Sequence, residues 1–157
     1  MKDYLPSLDG VGMAYISNKD LGKIIALGRV HGQGEDHAAM LIDEMGKTMS
    51  HVTLPLQDWV IYVVKLSDQD LLALIRGIVL LHHSSKFKGG STACEIWIYR
   101  EIQKRDLDPQ FELADWIRTM SFNPYVPFGT HNRPRSKVEY EKLYKQIFER
   151  DFYSSRP

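Results

Sequence analysis

Ser67-Asp68-Gln69-Asp70-Leu71-Leu72-Ala73-Leu74-Ile75-Arg76-Gly77-Ile78-Val79-Leu80-Leu81-His82-His83 is the stretch that decides the fold. Ser67 sets a hydroxyl three residues ahead of the carboxylate of Asp70, the arrangement of a capping box with Asp in place of the usual Glu or Gln. Behind it, Leu71, Leu74, Ile75 and Ile78 fall at helical spacing. The same segment is also apolar at Leu72, Val79, Leu80 and Leu81, which demands neighbours on several sides and a central position among helices.

Working outward, Ser17-Asn18-Lys19-Asp20 and Ser136-Lys137-Val138-Glu139 repeat the hydroxyl-to-carboxylate spacing, and Asp108-Pro109 reads as an N-cap followed by proline at the first helical position. The apolar stripes agree with these starts. Leu21, Ile24, Ile25 and Gly28 mark one helix, and Ala38, Leu41, Ile42 and Met45 a second. Cys94, Trp97, Ile98 and Ile102 mark another, then Phe111, Leu113, Trp116 and Ile117, and last Tyr140, Leu143, Tyr144, Ile147 and Phe148. Trp59-Val60-Ile61-Tyr62-Val63-Val64 has strand-like composition. Helix is the better reading there, because Pro55 suits a first turn, Leu56, Val60 and Val63 have helical spacing, and a lone strand has no partner. The expectation is an all-α, single-domain bundle spanning 1–157, with six or seven helices and residues 1–16 as an N-terminal arm.

One long irregular segment stands before the last helix: Asn123-Pro124-Tyr125-Val126-Pro127-Phe128-Gly129-Thr130-His131-Asn132-Arg133-Pro134-Arg135. Its three prolines each remove a backbone donor and fix φ, which excludes helix and inner strand. Two roles are open and compatible. Tyr125 and Phe128 offer rigid apolar area for recognition, with Asn123, His131, Asn132 and Arg133 supplying hydrogen bonds and charge. Alternatively, Tyr125, Val126 and Phe128 plug a groove between helices, with Gly129 at positive φ and Asn123 capping the preceding helix.

Three further places carry candidate chemistry. Lys86-Phe87-Lys88-Gly89-Gly90-Ser91-Thr92 joins two helices, and its glycines and hydroxyls at a helix N-terminus can present Gly89, Gly90 and Ser91 to an anionic group, with Lys88 beside them. The bland alternative is a glycine ending one helix and Ser91 capping the next. Cys94, at about the third position of that next helix, sits where the dipole favours a thiolate, but it shares a face with Ile98 and Ile102, as a core cysteine would. His31, Glu35, Asp36, His37 and His51 could gather in a bundle as metal ligands; an acidic first helical turn after a glycine-containing connection accounts for the same residues, so no metal and no cofactor is assigned. His82 continues the central stripe, and a hydrogen-bonded, semi-buried histidine is its ordinary role.

Composition narrows the classes. The 20 Lys and Arg balance the 20 Asp and Glu, which excludes a general nucleic-acid binder. From Arg76 onward 14 basic residues face 10 acidic ones, so that half carries +4 and the first 75 residues −4. A single cysteine rules out an internal disulfide framework and points to a reducing compartment. The chain start lacks the continuous apolar stretch of a signal peptide, and no apolar run approaches the roughly 20 residues of a membrane span, so a cytoplasmic location is expected.

The order Leu66-Ser67-Asp68, Ile75-Arg76-Gly77, Gly89-Gly90-Ser91, Asp115-Trp116-Ile117 and Asn123-Pro124-Tyr125-Val126-Pro127-Phe128-Gly129 resembles a group of uncharacterised bacterial helical proteins, mainly through its NPYVPFG string. The resemblance covers the C-terminal half, implies a bacterial or phage origin and carries no activity. Two functions remain. One is an interaction module, immunity- or antitoxin-like, that binds a protein partner. The other is a sensor or enzyme for a small anionic molecule, built from the 86–92 turn and the 123–135 loop. The second requires those segments to converge.

Overall fold

The computed structural model describes residues 16–30, 39–50, 52, 54, 59–84, 87 and 92–146, with backbone alone at 39–42 and 45. Seven helices and no strand occur among them: α1 (Asn18–Val30), α2 (Ala39–Thr48), α3 (Val60–Val63), α4 (Asp68–His83), α5 (Cys94–Lys104), α6 (Glu112–Met120) and α7 (Lys137–Tyr144). The serines act as their spacing requires. Ser17, Ser67 and Ser136 accept the amides of Asp20, Asp70 and Glu139, each at 3.1 Å, satisfying donors that every helix start leaves open.

α4 is the hub, touching α1, α2, α5 and α6. Its Leu71, Leu74, Ile75, Ile78 and Leu81 are fully buried, and Val79 and Leu80 nearly so, which meets the demand for neighbours on several sides. Against it, α1 buries Leu21, Ile24, Ile25, Leu27 and Gly28. The two backbones meet at glycines: a Cβ on Gly28 would lie 1.8 Å from the Ala73 carbonyl oxygen, and one on Gly77 would lie 2.1 Å from the Ile24 oxygen. Helical dihedrals would suit any residue there; the contact distance is what demands glycine.

Several expectations shift in detail. α6 opens at Glu112 rather than behind Asp108, with Phe111 as its left-handed N-cap at φ 60°. Asp108 still performs the capping. A turn closed by the Phe111 amide on the Asp108 carbonyl at 3.1 Å brings its carboxylate under the helix end, where it accepts the amides of Leu113 at 2.9 Å and Ala114 at 3.0 Å. The helix expected after Pro55 is a single turn in its described part, and Val60 faces outward at 55% exposure while Tyr62 and Val63 are buried. Ile16, the last residue of the expected arm, is buried, and its amide donates to the Tyr62 hydroxyl at 3.2 Å. Residues 1–15 and the side chains of Ala38, Leu41, Ile42, Met45, Ile147 and Phe148 lie outside the described residues.

Arg105, which ends α5, ties the frame together. Its guanidinium donates to the Val63 and Leu66 carbonyls at 2.9 and 2.8 Å and to the Glu101 carboxylate at 2.9 Å. The Leu66 carbonyl between α3 and α4, and the Val63 carbonyl that also accepts the Leu66 amide at 3.0 Å, are thereby tied to the end of α5.

Gly28→Ala is expected to destabilise the fold by about 3 kcal/mol, since the added carbon meets backbone that cannot move aside. Gly22, in the same helix, has open space at its Cβ position, so Gly22→Ala is expected to stabilise by up to about 1 kcal/mol through helix propensity. Urea unfolding of the two variants against the parent measures both effects.

Candidate functional site

α4 ends in His82 and His83, α5 begins with Cys94 and Glu95, and the chain leaves α6 through Ser121, Phe122 and Asn123. These three ends enclose a cavity of about 230 Å³. Among the described residues its wall comprises Val79, His82 and His83 from α4, Thr92 and Glu95 at the start of α5, and Met120 to Asn123.

The central feature is a buried acid–base pair. His82 Nδ1 lies 2.7 Å from Glu95 Oε2, with the side chains 8% and 1% exposed. Each residue keeps one buried polar atom without a hydrogen-bond partner, Nε2 of His82 and Oε1 of Glu95. Burial pushes the Glu95 carboxyl above its usual range, and the hydrogen bond and charge of His82 pull it back. Leaving such an atom unsatisfied costs about 1–3 kcal/mol. Next to the pair, His83 Nδ1 sits 3.1 Å from the Met120 carbonyl, and its ring lies parallel to that of Phe122 at 5.7 Å. Phe122 is 84% exposed, and forms the outer lip.

Asn123 is the link between the two segments that the sequence singles out. Its Nδ2 donates to Thr92 Oγ1 at 2.8 Å, and its Oδ1 accepts the Tyr125 amide at 2.9 Å. The end of the 86–92 turn and the start of the 123–135 loop therefore meet on the cavity wall. Lys86, Lys88, Gly89, Gly90 and Ser91 lie outside the described residues, as do His31, Glu35, Asp36, His37 and His51.

The rest of the loop turns away from the cavity. Val126 and Phe128 are buried, and the Phe128 ring stands edge-on to Tyr99 and Phe111 at 5.7 Å, with Tyr140 at 6.2 Å. Phe128 is thus a core anchor. Gly129 takes the expected positive φ, 84°. Tyr125 packs its exposed ring against His131 at 4.4 Å between centroids, and Asn132 is exposed. Arg133 forms a two-pronged pair with Asp115 at 2.7 and 3.0 Å. Of the loop candidates, Asn123 is the one on the cavity wall among the described residues.

Arg118 holds the loop in place. Its guanidinium donates to the carbonyls of Thr130 at 2.6 Å, His131 at 2.9 Å and Pro124 at 3.1 Å, and lies over the Phe128 ring at 5.0 Å. Burial pushes its pKa below the usual arginine value, with Asp115 acting in the opposite sense.

Cys94 departs from the nucleophile alternative. It is the first residue of α5, fully buried, and burial followed by the charge of Glu95 pushes its thiol well above the ordinary value. Proximity to a helix start does not overcome that desolvation.

No family model, curated protein or solved structure matches the chain.

Arg118→Leu is expected to free the 123–131 carbonyls while leaving the α1–α4 contact intact. Hydrogen–deuterium exchange should rise at least about tenfold across that segment and stay unchanged in α4, a local opening rather than global unfolding.

Proposed function

We propose that the cavity between the ends of α4, α5 and α6 binds a small molecule, and that this binding is the function of the protein. The observation that carries the reading is the His82–Glu95 pair, buried, with two polar atoms lacking partners, on the wall of a cavity. Buried polar atoms in folded proteins are nearly always paired, and an acid–base couple beside a cavity favours a partner that arrives from outside. The volume of about 230 Å³ falls below the roughly 300–1,000 Å³ of sites for drug-sized ligands, which favours a ligand of few heavy atoms.

The Thr92–Asn123 hydrogen bond supports the convergence of turn and loop that a joint site requires. An anion is a poor occupant beside Glu95, because its charge would face a buried carboxyl. Binding is favoured over nucleophilic catalysis by the raised thiol of Cys94. A second reading, a protein partner, draws support from Phe122 at 84% and Tyr125 at 49% exposure, two aromatic side chains suited to anchoring an interface.

Thr92 lies half-buried on the cavity wall, so Thr92→Trp fills the space without entering the α1–α4 core. Native mass spectrometry of the protein purified gently from its own source should show a small retained mass, lost in Thr92→Trp. A retained protein instead, released by Phe122→Ala, would replace this reading with the interaction one.

A further inference from the structure

We infer that Arg76 anchors an oxyanion, the carboxylate or phosphate group of a ligand, at a site on α4 outside the cavity. Four arginines are half-buried among the described residues: Arg76, Arg100, Arg105 and Arg118. Three of them are engaged. Arg100 donates to Glu141 at 2.6 Å and lies over the Tyr144 ring at 4.0 Å. Arg105 reaches the Val63 and Leu66 carbonyls and the carboxylates of Glu101 and Asp68, and Arg118 holds three carbonyls. Even the exposed Arg29 and Arg133 are paired, with Asp70 and Asp115. Arg76 makes no hydrogen bond or ion pair with the described residues, and its Nε is buried without a partner.

A guanidinium cannot escape burial by losing its proton, so partial desolvation without a counter-charge is a cost with no structural return. Described carboxylates on the neighbouring elements are committed elsewhere: Asp68 to Arg105, Asp70 to Arg29, Glu95 to His82 and Asp115 to Arg133. Glu112 of α6 is exposed and forms no ion pair with the described residues. The Nε of Arg76 is closed off, whereas Nη1 and Nη2 reach solvent. Their parallel N–H groups match two oxygens of a carboxylate or phosphate. Arg76 stands four residues after Leu72, three before Val79 and seven before His83, which puts the four on one face of α4. Val79 and His83 line the cavity, but helical side chains lean toward the N-terminus, and this carries the guanidinium toward Leu72 and away from Glu95. An anion held there avoids the buried carboxyl that makes it a poor occupant of the cavity.

The test uses the intact protein with ¹³C,¹⁵N-labelled arginine, the Arg76 guanidinium signal being assigned through Arg76→Met, during titration with inorganic phosphate, acetate and chloride at matched ionic strength. Expected is a saturable shift of that signal with phosphate or acetate, at least about tenfold tighter than with chloride, and retained in Thr92→Trp, where the cavity is filled. The tighter of the two oxyanions names the group. Arg76→Met keeps the apolar stem and should unfold in urea at or above the midpoint of the parent. No saturable shift, or equal shifts with chloride, would overturn the inference and leave the cavity reading standing. An Arg76→Met variant that unfolds earlier, matched by Glu112→Gln and by the double variant, would show an internal partner and overturn it as well. A shift lost in Thr92→Trp would move the anion into the cavity and overturn the placement on α4.

Discussion

The backbone contact between α1 and α4 is the constraint on which the rest of the molecule depends. Gly28 and Gly77 each lie against carbonyl groups of the opposite helix, at distances where no Cβ fits. Glycine inside a helix costs about 1 kcal/mol in propensity; two of them are offset by the close approach they permit, which sets Gly28 against Ala73 and Ile24 against Gly77. With one flank closed so tightly, α4 has its position fixed against α1, and α2, α5 and α6 cover its other flanks. Its last turn, and hence His82, is delivered to a defined place.

What the far end of α4 meets there is set by the aromatic part of the same core. Tyr99, Phe111, Phe128 and Tyr140 pack edge to face, and the Tyr99 hydroxyl reaches the same Asp108 carboxylate that caps α6, at 2.9 Å. One buried carboxylate thus joins α5 to the start of α6. Arg118 extends the connection from α6 to the loop through three carbonyls. The polypeptide between Met120 and Tyr125 is consequently held at both ends, which is how Asn123 comes to stand against Thr92. A cavity wall built from irregular backbone needs such support if its polar atoms are to stay in register.

How much of this was legible in the sequence follows from the range of each signal. Local signals worked: the three serine caps depend on four consecutive residues, and the α4 stripe on side chains of one helix. Asp108 shows the limit, because the residue type announced a helix start while the left-handed Phe111 moved that start by three residues. Trp59 to Val63 shows another, since Val60 lies outward and Tyr62 inward in a way that only packing against α5 decides. Within the site, His82 was readable as a semi-buried, hydrogen-bonded histidine, and Asn123 as a candidate contact. Glu95 was not, although it stands four and eight residues before Tyr99 and Gln103, which are both buried with it. A second row of inward positions beside the Cys94, Ile98, Ile102 stripe was the available clue. Its partner lies 13 positions earlier across an interhelical turn, a separation that periodicity within one helix cannot bridge.

The placement of the pair at two helix ends bears on its electronic form. His82 occupies the last turn of α4 and Glu95 the first turn of α5, so the negative end of one helix dipole faces the imidazole and the positive end of another faces the carboxyl. Each such arrangement favours the charged partner by about 0.3–1 kcal/mol, up to about 2 kcal/mol when partly buried. At Glu95 the dipole opposes the burial that raises the carboxyl pKa, as the hydrogen bond from His82 also does. The 2.7 Å hydrogen bond offsets part of the cost of that burial and uses only half of the polar atoms. Helix ends and hydrogen bond therefore act in the same direction, holding a buried acid–base couple at the junction of α4 and α5.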